Sequence, residues 1–212
     1  MMARFVVSGT DTGIGKTVFS AALANALCGY YWKPVQSGLD EETDTQTVRR
    51  LGDVPEERIV SEAYRLATPV SPHLSARIDG TSIDAQRLVP PQVDGPLVIE
   101  GAGGLMVPLA ENLVFADVFA QWQIPVILCA RTTLGTINHT LLSIEAMHHR
   151  AIPIFGIAFI GEANPETETV IARLSGVRPL GRLPILASLK ASTVSKAFHE
   201  NFDLNSFADA RP

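Results

Sequence analysis

Cysteine is scarce: Cys28 and Cys129 are the only two in 212 residues, and no Cys-x-x-Cys spacing occurs. That excludes a disulfide framework and a thiolate metal cluster, and it makes a reducing, cytoplasmic setting the expectation. Both thiols read as small buried hydrophobes, Cys28 closing the first helix and Cys129 inside an apolar run. The five histidines are scattered, with His148-His149 read as an exposed helix end. No apolar stretch approaches the ~18 residues of a membrane span, the longest being 124–130, so no membrane partner is expected. Met1-Met2-Ala3-Arg4 leads straight into a strand without the apolar segment of a secretory leader. Basic residues are outnumbered by acidic ones, 17 to 22, and the net charge of −5 argues against a broad nucleic-acid surface. Neither an internal repeat nor a low-complexity tract is present.

What remains is an ordinary globular composition. Hydrophobic residues make up 46% and charged residues 18%, which provides for a large core under a normal surface. The length fits one domain spanning 1–212. Short apolar runs alternate with helical patterns. Strands are expected over 4–8, 30–35, 96–100, 125–130 and 154–160, and helices over 17–27, roughly 43–51, 115–121, 138–149 and 166–174. Val and Ile occupy both faces of several strands, as in parallel strands covered by helices on each side. Around the fourth of these helices Ile137, Leu141, Ile144 and His148 fall at near-helical spacing, with Leu142 and Met147 widening the apolar face. The pattern predicts an α/β fold: a three-layer, mostly parallel sheet with helices on both faces. Residues 53–94 carry five prolines and read as a loop-rich excursion with one or two short helices. The polar tail after Leu189 reads as a docked terminal helix carrying Phe198, Phe202 and Phe207.

The most telling segment is Gly9-Thr10-Asp11-Thr12-Gly13-Ile14-Gly15-Lys16-Thr17. It follows the apolar run Phe5-Val6-Val7 and opens a helix. A strand, a glycine-rich turn ending in Gly-Lys-Thr and a helix form the context of a phosphate-binding loop. Backbone N–H groups and the positive helix end converge there and favour an anion. Lys16 adds a full charge to the terminal phosphates, and the Thr17 hydroxyl suits Mg2+. A nucleoside triphosphate is therefore the expected ligand. The usual pattern has glycine at position 10, where Thr10 stands; the plain alternative is a glycine turn followed by a surface lysine.

Ligands of such sheets bind at the carboxyl ends of the strands, and three further strand ends carry signals. In Lys33-Pro34-Val35-Gln36-Ser37-Gly38, Lys33 is either a solvated strand end or a second cation for the transferred phosphoryl group. In Val98-Ile99-Glu100-Gly101-Ala102-Gly103-Gly104, Glu100 is either a Mg2+-associated carboxylate or a solvated acid before a turn. In Leu134-Gly135-Thr136-Ile137-Asn138-His139, Thr136 reads as an N-cap, and free N–H groups there suit a carboxylate. Asp44 opens the second helix, and only context separates it from Asp40, Glu41 and Glu42.

Taken in order, Gly9-Thr10-Asp11-Thr12, Gly15-Lys16-Thr17, Lys33-Pro34-Val35, Ser37-Gly38, Ser71-Pro72-His73, Glu100-Gly101-Ala102-Gly103-Gly104 and Gly135…Ile137-Asn138-His139 resemble the dethiobiotin synthetase family. The resemblance covers most of the chain to about residue 140. It implies a phosphate-binding-loop NTPase fold and a ligase of biotin biosynthesis. Such a ligase takes 7,8-diaminopelargonate, CO2 (or bicarbonate) and ATP to dethiobiotin, ADP and phosphate. It implies Lys16 and Lys33 as catalytic residues, the first on the β/γ-phosphates and the second on the carbamate and γ-phosphate. Thr17, Asp44 and Glu100 would surround Mg2+. Nucleotide contacts would come from Gly13, Ile14, Gly15, Val18, Gly101, Ala102 and Gly103, and from Pro184, Ile185 and Leu186 in a second base-contacting loop. Thr12 and Ser37 would meet the reacting end of the substrate, and Gly135, Thr136 and Asn138 of a neighbouring subunit its carboxylate, which implies a homodimer.

Two residues depart from the family pattern. Gly13 stands where a glutamate is common, and Ile160-Gly161 where an Asn-Asp pair reads adenine. An apolar side chain cannot supply a paired donor and acceptor, so weaker base selectivity is expected. Other readings share part of this pattern. A partition-type ATPase usually has a lysine early in its loop, which Asp11-Thr12-Gly13 lacks. A cobyrinate amidase usually carries a glutaminase domain. A nucleotide binder without turnover is countered by intact Lys16, Thr17, Lys33 and Glu100.

Overall fold

A computed structural model gives the fold, and residues 2–208 are described. The central sheet has seven strands in the order β11-β10-β9-β1-β6-β2-β4. They are β1 (Arg4–Gly9), β2 (Tyr30–Trp32), β4 (Ile59–Val60), β6 (Leu97–Gly104), β9 (Val126–Arg131), β10 (Ile154–Ile160) and β11 (Pro179–Leu183). Every pairing within it is parallel. Successive side chains of a strand point to opposite faces, so strands buried on both sides must be apolar throughout. Phe5 and Val7 accordingly enter one buried cluster and Val6 the other. On the Phe5 face lie α1 (Lys16–Ala26), α2 (Asp44–Gly52), α7 (Ala191–Asn201) and α8 (Leu204–Ala208); on the Val6 face lie α4 (Phe115–Trp122), α5 (Thr136–His149) and α6 (Pro165–Ser175). The three layers anticipated from the sequence are present.

Several boundaries differ from expectation for identifiable reasons. The expected strand 30–35 breaks after Trp32. Pro34 has no N–H to continue the ladder, and the chain resumes as β3 (Val35–Ser37), which pairs with β5 (Tyr64–Leu66) outside the main sheet. The excursion over 53–94 supplies the edge strand β4, β5 and one α-helix, α3 (Pro72–Ile78), with 3-10 turns at Glu56–Arg58 and Ala85–Arg87. A short antiparallel pair, β7 (Pro108–Ala110) and β8 (Leu113–Val114), follows β6. Strand β11 carries Pro179, Gly181 and Arg182 and has no apolar alternation to announce it. Helix α5 begins at Thr136 because Gly135, at φ 93°, takes the N-cap position expected of Thr136. Leu142 on that helix is 60% exposed rather than part of the buried face. Cys129 is buried, but Cys28 is exposed: α1 ends at Ala26, and Cys28 lies in the turn at φ 48°.

The tail docks as anticipated, through aromatic packing. Phe198 and Phe207 are fully buried and Phe202 nearly so. Phe198 stacks on Phe202 with ring centroids 4.6 Å apart, and Phe202 meets Phe19 of α1 at 5.5 Å. Phe207 lies 5.9 Å from Phe5 of β1. The last helices therefore brace the helix that carries the glycine loop. Truncating Phe198 to alanine should cost about 3–5 kcal/mol of stability, the usual penalty for an aromatic side chain lost from a packed core. Urea denaturation reads this directly, and a loss under about 1 kcal/mol would contradict the packing account.

Candidate active site

Strand order places the site. The chain first fills the sheet on one side of β1, with β2, β4 and then β6 between β1 and β2, and afterwards the other side with β9, β10 and β11, which makes the carboxyl end of β1 the topological switch point. The glycine loop begins there. Gly13 and Gly15 hold φ angles of 67° and 99°, in the left-handed region that side chains resist. A Cβ on Gly9 would lie 2.6 Å from Ile14 Cδ1. Helix α1 starts at Lys16 without a side-chain cap, so its first N–H groups face the loop.

Sheet parity supplies the charges. Tyr31 of β2 pairs with Val98 of β6, and Val7 of β1 pairs with Glu100. Glu100 stands two residues beyond Val98 and Lys33 two beyond Tyr31, so both emerge on the face that α1 and α2 cover. Helix α2 is started by a capping box: Thr43 Oγ1 accepts from Gln46 N at 3.3 Å and Gln46 Oε1 accepts from Thr43 N at 2.8 Å. That cap puts Asp44 in the first turn, aimed at the sheet. Asp40, Glu41 and Glu42 stay exposed, and Glu42 pairs with Arg50 instead.

Five polar side chains meet at this point. The Thr17 hydroxyl lies 2.9 Å from both Asp44 Oδ1 and Glu100 Oε1 and donates to one at a time. Lys33 Nζ pairs with Asp44 and lies 3.2 Å from Glu100 Oε1, and it donates to Gly101 O at 3.1 Å. Tyr31 donates its hydroxyl to Glu100 Oε2 at 3.1 Å. Lys16 Nζ donates to Asp11 O at 2.9 Å, inside the loop.

Burial and charge act against one another here. Burial alone would depress the Lys33 ammonium, but Glu100 and Asp44 outweigh it and raise its pKa above the usual lysine value. Burial would raise the Asp44 carboxyl; Lys33 outweighs that and holds it below the ordinary carboxylate range. Lys16 is lowered, first by burial and then by Lys33. Burial, reinforced by Glu100, pushes the Tyr31 phenol well up.

A cleft of about 580 Å³ opens over the cluster. Of the anticipated residues it brings together Thr12, Gly13, Gly15, Lys16, Thr17, Lys33, Ser37, Asp44, Glu100, Ala102 and Gly103. Ser37 Oγ is buried without a hydrogen-bond partner among the described residues, which leaves it free for a ligand in the cleft it lines. A neighbouring cavity of about 290 Å³ is bounded by Gly13, Ile14, Ile160, Gly161, Asn164 and Ile185, among others. Gly101 is buried beneath Lys33. Val18 and Leu186 pack against the Phe5-face core, and Pro184 is half-buried beside Ile185. Gly135, Thr136 and Asn138 line neither cavity. Gly135 and Asn138 are exposed at the start of α5, while the Thr136 hydroxyl is buried and donates to Arg131 O at 2.6 Å.

Tyr31, beneath the cleft, and Gln36, Arg131 and Asn164, which line the cavities, are among the residues that escaped sequence reasoning. Tyr31 was findable, since it lies two residues before Lys33 on the same face. Gln36 receives the Asp44 N–H at 3.2 Å and donates to Ser37 O at 3.1 Å, tying the start of α2 to the Lys33 loop. Arg131, at the end of β9, donates to Thr12 O at 2.9 Å. Asn164 caps α6 with its oxygen and donates its amide to Thr132 O at 3.2 Å. Asn164 was findable too, as an N-cap before Pro165; nothing in the local sequence singles out Gln36 or Arg131.

A cation fits this donor set. Thr17, Asp44 and Glu100 offer only oxygen, with two carboxylates, which is what Mg2+ takes when phosphates complete its shell. Among the described residues no group of three or more His, Cys, Asp or Glu forms a self-sufficient metal site.

Comparison with known proteins agrees with this geometry. The AAA domain family matches residues 3–193. The ATP-dependent dethiobiotin synthetase BioD of Agrobacterium fabrum is 64% identical over 209 residues, covering 99% of each chain. Its counterpart in Brucella anthropi is 60% identical over 210 residues, again 99% of each. A Rhodopseudomonas palustris relative of the same name is 59% identical over 207 residues, 98% of this chain and 97% of its own. Among solved structures, a ParA family ATPase from Chlorobium tepidum superposes with a TM-score of 0.53 at 11% identity, covering 94% of this chain and 99% of that one. The MinC:MinD cell division complex of Aquifex aeolicus gives 0.54 at 14% identity, covering 92% and 86%. At such identities the likeness is one of fold alone.

Proposed function

The chain belongs to the ATP-dependent dethiobiotin synthetase family, and from that premise we propose how its cleft carries out the reaction. The activity is ATP-dependent dethiobiotin synthesis in biotin biosynthesis, a ligase reaction that forms C–N bonds. In this reading one amine of 7,8-diaminopelargonate captures CO2 as a carbamate. A carbamate oxygen attacks the γ-phosphorus of ATP and ADP departs, leaving a mixed carbamic–phosphoric anhydride. The second amine attacks the anhydride carbon, closes the cyclic urea and expels phosphate.

The observation that carries this assignment is Lys33, a charged ammonium held between two carboxylates at the sheet edge, beside the phosphate loop. A reaction of this kind needs its carbamate in line with the γ-phosphate and its growing negative charge neutralised. Lys33 holds the carbamate and the transferring phosphoryl group. Lys16 leaves its loop carbonyl for the β/γ-phosphates, whose negative charge offsets the burial and the Lys33 repulsion that depress its ammonium. The loop amides and Gly13, Ile14, Gly15 and Val18 cradle the phosphates; Gly101, Ala102 and Gly103 close the far wall. Thr17, Asp44 and Glu100 would hold Mg2+, which would supply charge neutralisation at the phosphates. Thr12 and Ser37 receive the reacting end of the substrate.

The carboxylate end of the substrate meets Gly135, Thr136 and Asn138 of a second copy. Support comes from an apolar groove of about 350 Å³ behind the loop, bounded by Thr10, Thr12, Met106 and Leu142. Met106 and Leu142 are 54% and 60% exposed, as residues of a homodimer face would be in one copy alone. Among the described residues no helix is long and apolar enough to cross a membrane.

The base of the nucleotide enters the cavity of Ile160, Gly161 and Asn164, with Pro184, Ile185 and Leu186 alongside. The Asn164 amide spends one N–H and one lone pair within the fold, and Gly161 O accepts from Arg182 at 2.8 Å. Ile160 and Gly161 supply no side-chain donor–acceptor pair for a base edge, so ATP is used but weakly distinguished. Turnover with CTP and GTP should fall within several-fold of that with ATP; strict dependence on ATP would contradict this.

Lys33→Ala tests the central assignment. Product formation should drop at least a hundred-fold, the scale on which loss of a charge-stabilising group is felt, while nucleotide binding by calorimetry stays measurable. Near-normal activity would remove Lys33 from the mechanism.

A further inference from the structure

The Glu100 carboxylate is 1% exposed, and its two oxygens face different partners. Oε1 meets Lys33 Nζ at 3.2 Å and the Thr17 hydroxyl at 2.9 Å, on the cleft side. Oε2 is turned inward and accepts the Tyr31 hydroxyl at 3.1 Å. Tyr31 has no exposed surface, and its ring belongs to the cluster of Phe19, Val48, Leu51 and Val98 beneath α1 and α2. The pairing Tyr31↔Val98 makes Glu100 its diagonal neighbour on the same face, within reach of a long aromatic side chain. Thus a phenol rooted in the core ends on the carboxylate that faces the reaction.

We propose that Tyr31 is a positioning residue that pins the Glu100 carboxylate, keeping Oε1 turned to the cleft where Thr17, Lys33 and the nucleotide's divalent cation meet. A carboxylate held at one oxygen has one orientation. Freed of that bond, Glu100 rotates and offers both oxygens to the Lys33 ammonium, which then competes with the cation. Oε2 also loses its partner in a buried setting, where a hydrogen bond to a charged group matters most. The inference rests on the assignment of Glu100 to the cation site.

Tyr31→Phe keeps the ring and removes only the hydroxyl. On the protein–ADP complex, Mn2+ binding followed by electron paramagnetic resonance should weaken about ten-fold or more, the low end of what a hydrogen bond to a charged group contributes. The Mg2+ dependence of turnover should shift by a similar factor, with the KM for 7,8-diaminopelargonate unchanged and kcat restored at high Mg2+. A purely structural role would lower the melting temperature without moving the cation dependence, and unchanged Mn2+ binding would overturn the proposal. Glu100→Gln separates the two levels. If it leaves Mn2+ binding intact, the cation-site assignment falls and the role of Tyr31 with it; if it weakens binding and Tyr31→Phe does not, only the positioning role falls. Should Tyr31→Phe fail to fold, the natural sequence labelled with 3-fluorotyrosine gives three fluorine resonances, one per tyrosine. Substituting Tyr30 and Tyr64 in turn identifies that of Tyr31. Its shift on adding Mg2+ to the ADP complex supports the linkage, and an unmoved resonance contradicts it.

Discussion

The buried ammonium of Lys33 between Asp44 and Glu100 is the interaction on which the rest of this structure turns. An ion taken out of water loses several kcal/mol of hydration, and a close, well-hydrogen-bonded counter-charge is needed to offset it. Here two carboxylates and the Gly101 carbonyl do so. Each partner comes from a different element: Lys33 from the broken end of β2, Glu100 from the run of β6, Asp44 from the capped start of α2. The cluster can form only if sheet register, the Pro34 break and the Thr43–Gln46 cap are all in place. A buried ion pair is weak evidence for stability in itself. Its sense is chemical: a buried ammonium and carboxylate oxygens stand side by side at the carboxyl ends of the strands.

The fold leaves function open. The fold alone is shared with a ParA family ATPase and the MinC:MinD complex, both under 15% identical to this chain. What narrows the function is the near full-length identity to dethiobiotin synthetases. Lys33, buried between two carboxylates beside the loop, is the residue on which the proposed ligase mechanism turns.

Much of this was legible in the sequence, and the gaps have physical causes. The phosphate loop, the apolar strands and the aromatic tail announced themselves because glycine spacing and continuous Val/Ile runs are local signals. Lys33 and Glu100 stood out as charges at the ends of such runs. Asp44 did not stand apart from its acidic neighbours by composition; the Thr43…Gln46 capping box, readable from spacing, is what fixes it. Strand β11 was missed because a half-buried edge strand with Pro179 and Gly181 carries no alternation. Cys28 was misjudged because apolar character predicts burial only when the backbone turns the side chain inward, and a turn at φ 48° does not. Tyr31 and Arg131 act through contacts with distant residues, Glu100 and Thr12, which only the register and the loop paths bring together.

Phosphate release from MgATP, measured with and without 7,8-diaminopelargonate and bicarbonate, probes the coupling between this charge cluster and its chemistry most directly. Release should require both substrates and match dethiobiotin formation one for one. Steady phosphate release in their absence would contradict the ligase assignment and identify an ATPase whose output is conformational.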